Sequence, residues 1–356
     1  MNAPAASTLR TPEQLAVAGL LAPGQVAGLS EVAARYAVAI TPTVADIIRA
    51  GGSDGPVARQ YLPDARELDV RPDEATDPIG DAAHAPVKGI VHRYPDRVLL
   101  MPTQVCAVYC RFCFRRENVG PQAGALTDGE LDAALDYIRR TPAVWEVILT
   151  GGDPLVLSPR RLARIIGGLE QIPHVAVIRI HSRVPVAAPE RITPALLDAL
   201  RATAKPVYVG VHCNHADELS TPVRAGLTRL RQAGIGLVSQ SVLLRGVSDS
   251  VAALEDLFRG LLTCGVKPYY LHQLDRAPGT ARFRVPLDQG QALMKALRGR
   301  VSGLALPTYV LDIPGGAGKV PVGPTFMHRD ATGRATAEDR DGRSHPVDDA
   351  PGEHAA

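Results

Sequence analysis

Three cysteines lie close together in segment 104–116, at Cys106, Cys110 and Cys113. Thiolates with this C-x3-C-x2-C spacing can hold three irons of a [4Fe-4S] cube and leave the fourth iron open for a ligand. The same spacing could place three small buried residues on one helix face, but aromatic and arginine residues alternate in this segment and leave no clean apolar face. A four-coordinate zinc site would need a further pair of Cys or His residues nearby. An iron–sulfur cluster is therefore the favoured interpretation.

A pair of glycines followed by an acid, Gly151-Gly152-Asp153, comes directly after an apolar run that predicts a strand. Glycines allow a ligand to approach the backbone closely and leave N–H and C=O groups free to bind it. Tight turns use the same residue types, so the motif alone is weak evidence for a binding site.

A lysine, Lys319, ends the glycine-rich run that begins at Asp312. The usual case is a surface lysine in a flexible loop. A phosphate-binding P-loop is excluded, because no Ser or Thr follows the lysine and the glycine spacing is wrong. The functional alternative is a lysine that forms a Schiff base. Glycines would let an aromatic cofactor come close, and partial desolvation would make the amine neutral and nucleophilic.

The overall composition favours small-molecule chemistry. The 356 residues include 39 basic and 37 acidic ones, a net charge of +2 that provides no field to attract nucleic acid or an anionic membrane. No run of about twenty apolar residues and no signal-peptide pattern occurs, which predicts a cytoplasmic protein. Five cysteines, an odd number, indicate a reducing compartment and a metal site rather than disulfides.

Short apolar runs alternate repeatedly with longer amphipathic runs. The predicted strands are 97–102, 145–149, 175–180, 207–212, 236–243 and 267–274. The predicted helices are 127–140, 159–170, 194–203, 221–233, 251–263 and 287–299. Six β/α units require parallel strands with right-handed crossovers, and hence an α/β fold with a partial (β/α)6 TIM-like barrel. The active site is expected at the carboxyl ends of the strands.

The chain divides into five predicted regions. Amphipathic helices precede the barrel, and the final segment is polar and too poor in large apolar residues to offset the cost of ordering. The regions are a helical N-terminal domain (1–50), a connecting segment (51–90), the (β/α)6 core (91–300), a C-terminal lysine segment (301–327) and a disordered tail (328–356).

Two of the motifs carry a resemblance to known enzymes. The cysteine triplet, with an aromatic residue just before its last cysteine, resembles the signature of the radical S-adenosylmethionine (SAM) superfamily, and Gly151-Gly152-Asp153 resembles the superfamily's loop that binds the SAM amino group. Further segments, in the same order, resemble lysine 2,3-aminomutase. They are His92 to Arg97, the cysteine segment, Gly151 to Leu155, Gln240 to Val247, Pro268 to Tyr270, and Asp312 to Lys319.

The resemblance implies an isomerase with a [4Fe-4S] cluster, SAM and pyridoxal 5'-phosphate (PLP). It also implies an amino acid substrate, an external electron donor of the flavodoxin or ferredoxin type, and a homo-oligomer. The implied PLP residues are Lys319, which would bind the cofactor covalently, and Arg93, Tyr94 and Arg97, which would bind its phosphate. The implied SAM residues are Gly151, Gly152, Asp153, His212 and Gln240. The implied lysine-binding residues are Arg115 for the carboxylate, and Asp275 and Asp312 for the distal ammonium.

The sequence departs from the best-known members of that family at a zinc site. Where they carry a cysteine this chain has Ser250, and no cysteine follows Cys264, so no zinc is expected. Position 272 is His where Tyr is expected beside PLP. The short relatives that make (R)-β-lysine for elongation factor P also lack the zinc segment and share the pattern from Tyr269 to Asp275, so they remain an alternative. A radical SAM enzyme without mutase activity is the other.

Overall fold

The N-terminal part of the chain is a small helical unit. The computed structural model describes residues 7–331 and 333–347. The first four helices are α1 (Pro12–Val17), α2 (Val26–Arg35), α3 (Pro42–Gly51) and α4 (Pro56–Tyr61). Helices α1, α3 and α4 begin with proline, whose missing N–H costs nothing in a first helical turn.

These helices bury their apolar faces against one another in a core separate from that of the barrel. Leu15, Val32, Ile48 and Tyr61 are among its buried members. Because α4 supplies Tyr61, the helical core continues past the predicted boundary at residue 50. Residues 1–6 of the predicted domain lie outside the described residues.

In the described ranges, nine strands form one sheet and follow each other in chain order. They are β1 (Ile90–Tyr94), β2 (Arg97–Thr103), β3 (Glu146–Gly151), β4 (Val177–Ser182), β5 (Val207–His212), β6 (Gly236–Val242), β7 (Lys267–His272), β8 (Thr308–Ile313) and β9 (Gly318–Pro321). Strands β2 to β8 pair in parallel, and β1 and β9 run antiparallel at the two edges.

Helices connect the parallel strands and cover the outside of the sheet. They are α5 (Asp128–Arg139), α6 (Pro159–Glu170), α7 (Val184–Ala187), α8 (Pro194–Leu200), α9 (Thr221–Gln232), α10 (Val251–Thr263) and α11 (Leu287–Leu297). Their apolar faces and the Val, Ile and Leu side chains of the strands form one core. The predicted partial (β/α)6 barrel is confirmed, and β8 extends it by a seventh parallel strand.

The two edges of the sheet meet, so the sheet is curved and nearly closed. The backbone N–H of Lys319 on β9 donates to the hydroxyl of Tyr94 on β1 at 2.6 Å. Segment 77–84 packs on the same seam: the N–H of Gly315 donates to the carbonyl of Pro78 at 3.3 Å, and a Cβ at Gly80 would lie 2.7 Å from the carbonyl carbon of Gly315. Only glycine tolerates that approach.

The C-terminal segment is ordered where a disordered tail was expected. Three antiparallel strands form a second sheet, β10 (Met327–Arg329), β11 (Ala335–Glu338) and β12 (Ser344–Val347). Both connections use an Asp-x-x-Gly-Arg turn, with Gly333 and Gly342 at positive φ and their N–H groups donating to the carbonyls of Asp330 and Asp339. The prediction of disorder is therefore wrong for residues 328–331 and 333–347, and residues 348–356 lie outside the described residues.

The described part of the chain contains no helix with the length and apolar character needed to cross a membrane.

Candidate active site

The cysteine loop follows β2 at the carboxyl end of the parallel strands. Cys106, Cys110 and Cys113 are unpaired, half-buried and line one cavity of about 170 Å³. Burial raises the pKa of the Cys110 thiol to about 12. A thiolate at this position therefore needs a bound metal to supply positive charge.

A buried carboxylate holds this loop in place. Glu67 accepts hydrogen bonds from Arg111 at 3.0 and 2.5 Å, and it also pairs with Arg116 and Arg282. Arg111 additionally donates to the carbonyl of Ala37 at 2.8 Å, which ties the loop to the helical unit. The predicted connecting segment thus supplies a buried anchor for the loop, because three guanidinium groups compensate the desolvation of one carboxylate.

The two glycines after β3 make room for the chain itself. A Cβ at Gly151 would lie 2.7 Å from the carbonyl oxygen of Thr103, and one at Gly152 would lie 2.4 Å from that of Val105. The N–H of Gly152 donates to Thr103 at 2.7 Å and that of Asp153 donates to Val105 at 2.9 Å. The N–H groups of Gly152 and Asp153 are therefore not free for a ligand, and the SAM-binding role implied for the motif stays a prediction. The glycines let the cysteine loop pack against the end of the strand.

The side chain of Asp153 is also used within the fold. Its carboxylate accepts hydrogen bonds from the hydroxyl of Ser182 at 2.7 Å and from the N–H groups of Leu155, Arg183 and Val184 at 3.0, 2.8 and 3.1 Å. Four bonds use the acceptor capacity of a carboxylate. Asp153 lines the cavity, but its side chain ties together the ends of β3 and β4.

A second cavity of about 620 Å³ lies beside the first inside the barrel. Lys319 is 23 % exposed and lines this second cavity. The two cavities share a wall formed by Phe114, Arg115, Thr150, His181, His212, Gln240, His272 and Asp275. Every site residue implied by the sequence lines one cavity or both. The arrangement lets a ligand bound near the cysteines contact one bound near Lys319.

The three residues expected to bind a phosphate lie along the seam side of the second cavity. Arg93 donates to the carbonyl of Ile79 at 2.6 Å, and its Nε is buried with no hydrogen-bond partner in the described residues. The guanidinium of Arg97 stacks on the ring of Tyr94 at 3.9 Å and pairs with Asp96 at 2.6 Å. Arg97 thus makes the surface pair with Asp96 that a purely structural role requires, and it still borders the cavity.

Lys319 and Asp312 face each other across the hairpin of β8 and β9. The ammonium of Lys319 donates to the Asp312 carboxylate, and its Nζ lies 3.2 Å from Nδ1 of His272. Burial alone would raise the pKa of Asp312, but the neighbouring His272 imidazole and the charge of Lys319 outweigh it and lower the pKa to about 2. Nε2 of His272 is buried and has no partner among the described residues.

His212 and Gln240 lie on the shared wall. Burial lowers the pKa of His212 to about 3, so its imidazole is neutral, and its Nε2 lacks a hydrogen-bond partner among the residues described. The side-chain nitrogen of Gln240 lies 3.0 Å from Nε2 of His181. His181 is a further buried, neutral imidazole, since burial and Arg179 lower its pKa well below the usual range.

Three residues at the site have no role that the sequence assigns: Asp81, Arg179 and His181. His181 lies one residue before the end of β4, and the rule that polar residues gather at strand ends places it at this rim without giving it a role. Arg179 lies inside β4 and pairs with Glu146 of β3 at 2.8 Å. Nothing in the sequence around Asp81 distinguishes it from the other acids of segment 51–90.

The residues fit the groups implied by the resemblance. The unpartnered Arg93 Nε, His212 Nε2 and His272 Nε2 are buried polar atoms of cavity-lining residues, and such atoms call for a polar ligand. No group of three or more His, Cys, Asp or Glu side chains in residues 7–331 and 333–347 is arranged to hold a single metal ion. The three thiols suit a cube instead, in which each thiolate binds a different iron. The absence of zinc stays a prediction.

The carboxyl group of Asp275 has an unusual environment. Burial and then the neighbouring Asp312 carboxylate raise its pKa from 3.8 to about 7, although Lys319 and Arg115 lower it. Asp81 also faces this group and raises its pKa further. Because the folded-state pKa lies above the ordinary value, Asp275 contributes stability at low pH that is lost as the pH rises through about 7.

We expect Asp275→Asn to remove this pH dependence. In the ligand-free protein, the melting temperature of the variant relative to wild type should rise between about pH 4 and pH 7 and stay constant above pH 7. The reason is that Asp275 of the wild type becomes a buried carboxylate as the pH rises through this range, whereas asparagine stays neutral. Thermal unfolding at a series of pH values measures this difference, with Asp198→Asn as a control at an exposed ion pair. A difference that does not change with pH would contradict the raised pKa.

Comparisons with known proteins agree with this fold. Residues 100–258, which include the cysteine loop and strands β3 to β6, match the family model of the radical SAM superfamily. The chain is thus a radical SAM protein, a class that implies a [4Fe-4S] cluster and SAM. Residues 294–340 match the model described as lysine-2,3-aminomutase.

Curated relatives then identify the family. The chain is 41 % identical over 300 residues to L-lysine 2,3-aminomutase of Clostridium subterminale, covering 84 % of this chain and 72 % of that protein. It is 40 % identical over 319 residues to the enzyme of that name from Acetoanaerobium sticklandii, covering 90 % and 77 %. This chain belongs to the L-lysine 2,3-aminomutase family, whose members are isomerases.

Solved structures resemble the chain more loosely. A radical SAM methyltransferase from Sphaerobacter thermophilus superposes with a TM-score of 0.46 and 20 % identity, covering 62 % of this chain and 68 % of that one.

Proposed function

We propose that this protein is a SAM- and PLP-dependent aminomutase that moves the α-amino group of L-lysine from C2 to C3 and forms β-lysine. The observation that carries the proposal is the shared wall between the cavity of the three cysteines and the cavity of Lys319. When bound, the cluster and SAM would supply a carbon radical, and PLP would supply the π-system across which the nitrogen migrates. Cys106, Cys110 and Cys113 would hold the cluster, and Lys319 would hold PLP.

Arginines and buried imidazoles would position the cofactors. Arg93, Tyr94 and Arg97 line the cavity beside Lys319, and guanidinium groups suit a phosphate because they can donate two parallel hydrogen bonds. His212 and Gln240 would contact SAM from the shared wall. Gly151, Gly152 and Asp153 would form the loop that binds the SAM amino group, while the N–H groups of Gly152 and Asp153 and the Asp153 carboxylate hold that loop against the cysteine loop and β4.

The substrate would be held at both ends. Arg115 would bind its carboxylate, and Asp275 and Asp312 its distal ammonium. Asp312 is paired with the Lys319 ammonium. Covalent attachment of a cofactor to Lys319 would engage that amine, and Asp312 would then be available to a substrate ammonium. Two carboxylates at this end favour lysine over glutamate, whose distal group would be repelled.

A second candidate differs only in the product's use and stereochemistry. The run from Tyr269 to Asp275 and the lack of a cysteine after Cys264 also resemble the short enzymes that supply (R)-β-lysine for elongation factor P. A radical SAM enzyme that is not a mutase is less favoured, because it would need no cavity-facing Lys319. The cytoplasmic location, the external electron donor and the oligomer stay predictions.

The test is a product assay with the reconstituted, reduced enzyme. It is incubated with SAM, PLP and, separately, lysine, arginine, glutamate or ornithine, and the products are separated by chirality. We expect β-lysine from lysine and little product from the other three. Formation of the (R) enantiomer would favour the second candidate. No product from lysine would refute the assignment of substrate.

A further inference from the structure

One carboxylate, that of Asp81, connects two subsites of the proposed enzyme. Its Oδ1 accepts a hydrogen bond from Nη2 of Arg93 at 3.1 Å, and its Oδ2 accepts from Nε and Nη2 of Arg115 at 3.0 and 2.7 Å. All three side chains are largely buried, with exposures of 16 % for Asp81, 12 % for Arg93 and 13 % for Arg115. Asp81 therefore joins the arginine proposed for the cofactor phosphate to the arginine proposed for the substrate carboxylate.

The segment that carries Asp81 is itself held rigidly. The carboxylate of Asp77 accepts hydrogen bonds from the N–H groups of Asp81 and Ala82, both at 2.8 Å. Gly80 packs directly on Gly315 in the turn that precedes Lys319. The position of Asp81 is thus set by the seam where β1 and β9 meet, the place from which Tyr94 and Lys319 reach the cavity.

The contact with Arg115 uses one edge of its guanidinium group. Asp81 takes the Nε–Nη2 edge. No protein partner for Nη1 of Arg115 occurs among the described residues, so the Nη1–Nη2 edge is available to a ligand in the cavities that Arg115 lines. An arginine can present two donors from each edge to a carboxylate. Holding one edge orients the other and fixes the plane in which a second carboxylate binds.

We propose that Asp81 is a positioning residue for amino acid binding: it fixes Arg115 so that the open edge of its guanidinium receives the α-carboxylate. Its bond to Arg93 sets that carboxylate site at a defined distance from the cofactor's phosphate site. The inference rests on the proposed function, because it takes Arg115 to be the carboxylate ligand. A different role for Asp81, that of an internal competitor which substrate must displace from Arg115, has the opposite consequence for affinity.

The test compares lysine with 1,5-diaminopentane, which has the same amines but no carboxylate. Wild type and Asp81→Asn are reconstituted with cluster and PLP but without SAM, so that no turnover occurs, and the affinity for each compound is obtained from the rise in melting temperature with ligand concentration. In D81N we expect the Kd for lysine to rise about 10-fold or more, because the charge-assisted hydrogen bond to its carboxylate is misplaced. The Kd for the diamine should change less than about 2-fold.

Three outcomes would overturn the role of Asp81: an equal change for both compounds, no change, or tighter binding of lysine, the last being the result expected of a competitor. Asp136→Asn, at an exposed pair with Arg139 and Arg140, is the matched control and should leave both affinities unchanged. Should D81N fail to fold or to take up the cluster, Asp81→Glu replaces it, since a charge displaced by one methylene should still weaken lysine selectively.

The test separates failure of this inference from failure of the proposed function. A wild type that forms no β-lysine overturns the proposed function. A wild type that forms β-lysine, together with an unselective D81N variant, overturns only the role of Asp81.

Discussion

Replacing Lys319 with alanine is expected to abolish aminomutase activity and covalent binding of PLP. Lys319 lines the cavity, and its ammonium is paired with Asp312 and close to His272. No other lysine lines either cavity within the described residues, so nothing can replace its amine. We expect product formation to fall at least about 1,000-fold, the scale seen when a covalent catalytic group is removed. The visible absorption band of lysine-bound PLP should disappear.

The measurement pairs the absorption spectrum after incubation with PLP with the rate of β-lysine formation. Lys88→Ala is the control, because Lys88 is 71 % exposed and pairs with Glu130 on the surface. Iron content and melting temperature of K319A should stay near those of wild type. A K319A variant that keeps both the band and the activity would show that another group binds PLP and would remove the basis of the proposed function.

The barrel was predictable from the sequence because its strands and helices differ in period. Buried parallel strands are short continuous apolar runs, and the helices between them repeat their apolar residues every three to four positions. The strand predicted at 207–212 and the helix predicted at 159–170 have those limits in the structure as well. What periodicity does not show is the pairing of short edge strands, so the placement of β1 and β9 was missed.

The site was predictable only where a motif signals it. The cysteine triplet is such a motif, and the resemblance to a known family indicates Lys319. The hairpin that sets Lys319 opposite Asp312 is not among the predicted elements, although a strand, a Pro-Gly-Gly turn and a second strand follow one another in the sequence. Asp81 had no signal, because its role arises from a seam between segments distant in sequence. The polar composition of the C-terminal segment predicts disorder, whereas its two Asp-x-x-Gly-Arg turns are what indicate the second sheet.

The glycine motif shows that a close approach to a glycine can come from the chain itself. Gly151 and Gly152 do border the cavity of the cysteines, as expected. The backbone of residues 103–105 of the same chain approaches them closely, and their role toward SAM stays a prediction. Sequence patterns report that something must come close to a glycine, and only the fold shows what does.

Replacing Cys110 with serine is expected to prevent assembly of the cluster. Cys110 shares its cavity with Cys106 and Cys113, and each would bind one iron of a [4Fe-4S] cube. A serine hydroxyl keeps the size of the side chain but is a hard donor that stays protonated, so it replaces a soft thiolate poorly. We expect iron to fall from about four atoms per chain to a small fraction of that after reconstitution. Reductive cleavage of SAM should fall with it.

The control for this loss is a cysteine outside the cavity. Cys264 follows α10, is 9 % exposed and lies 3.3 Å from Nη1 of Arg224, so Cys264→Ala should keep its iron and cleave SAM like wild type. Iron analysis, the absorption of the reconstituted cluster and the release of 5'-deoxyadenosine measure the effect. Melting temperatures of the metal-free proteins should be similar, because serine fills the same volume. Full iron content and SAM cleavage in C110S would mean that the three cysteines are not the cluster ligands, and the proposed radical chemistry would then lose its source.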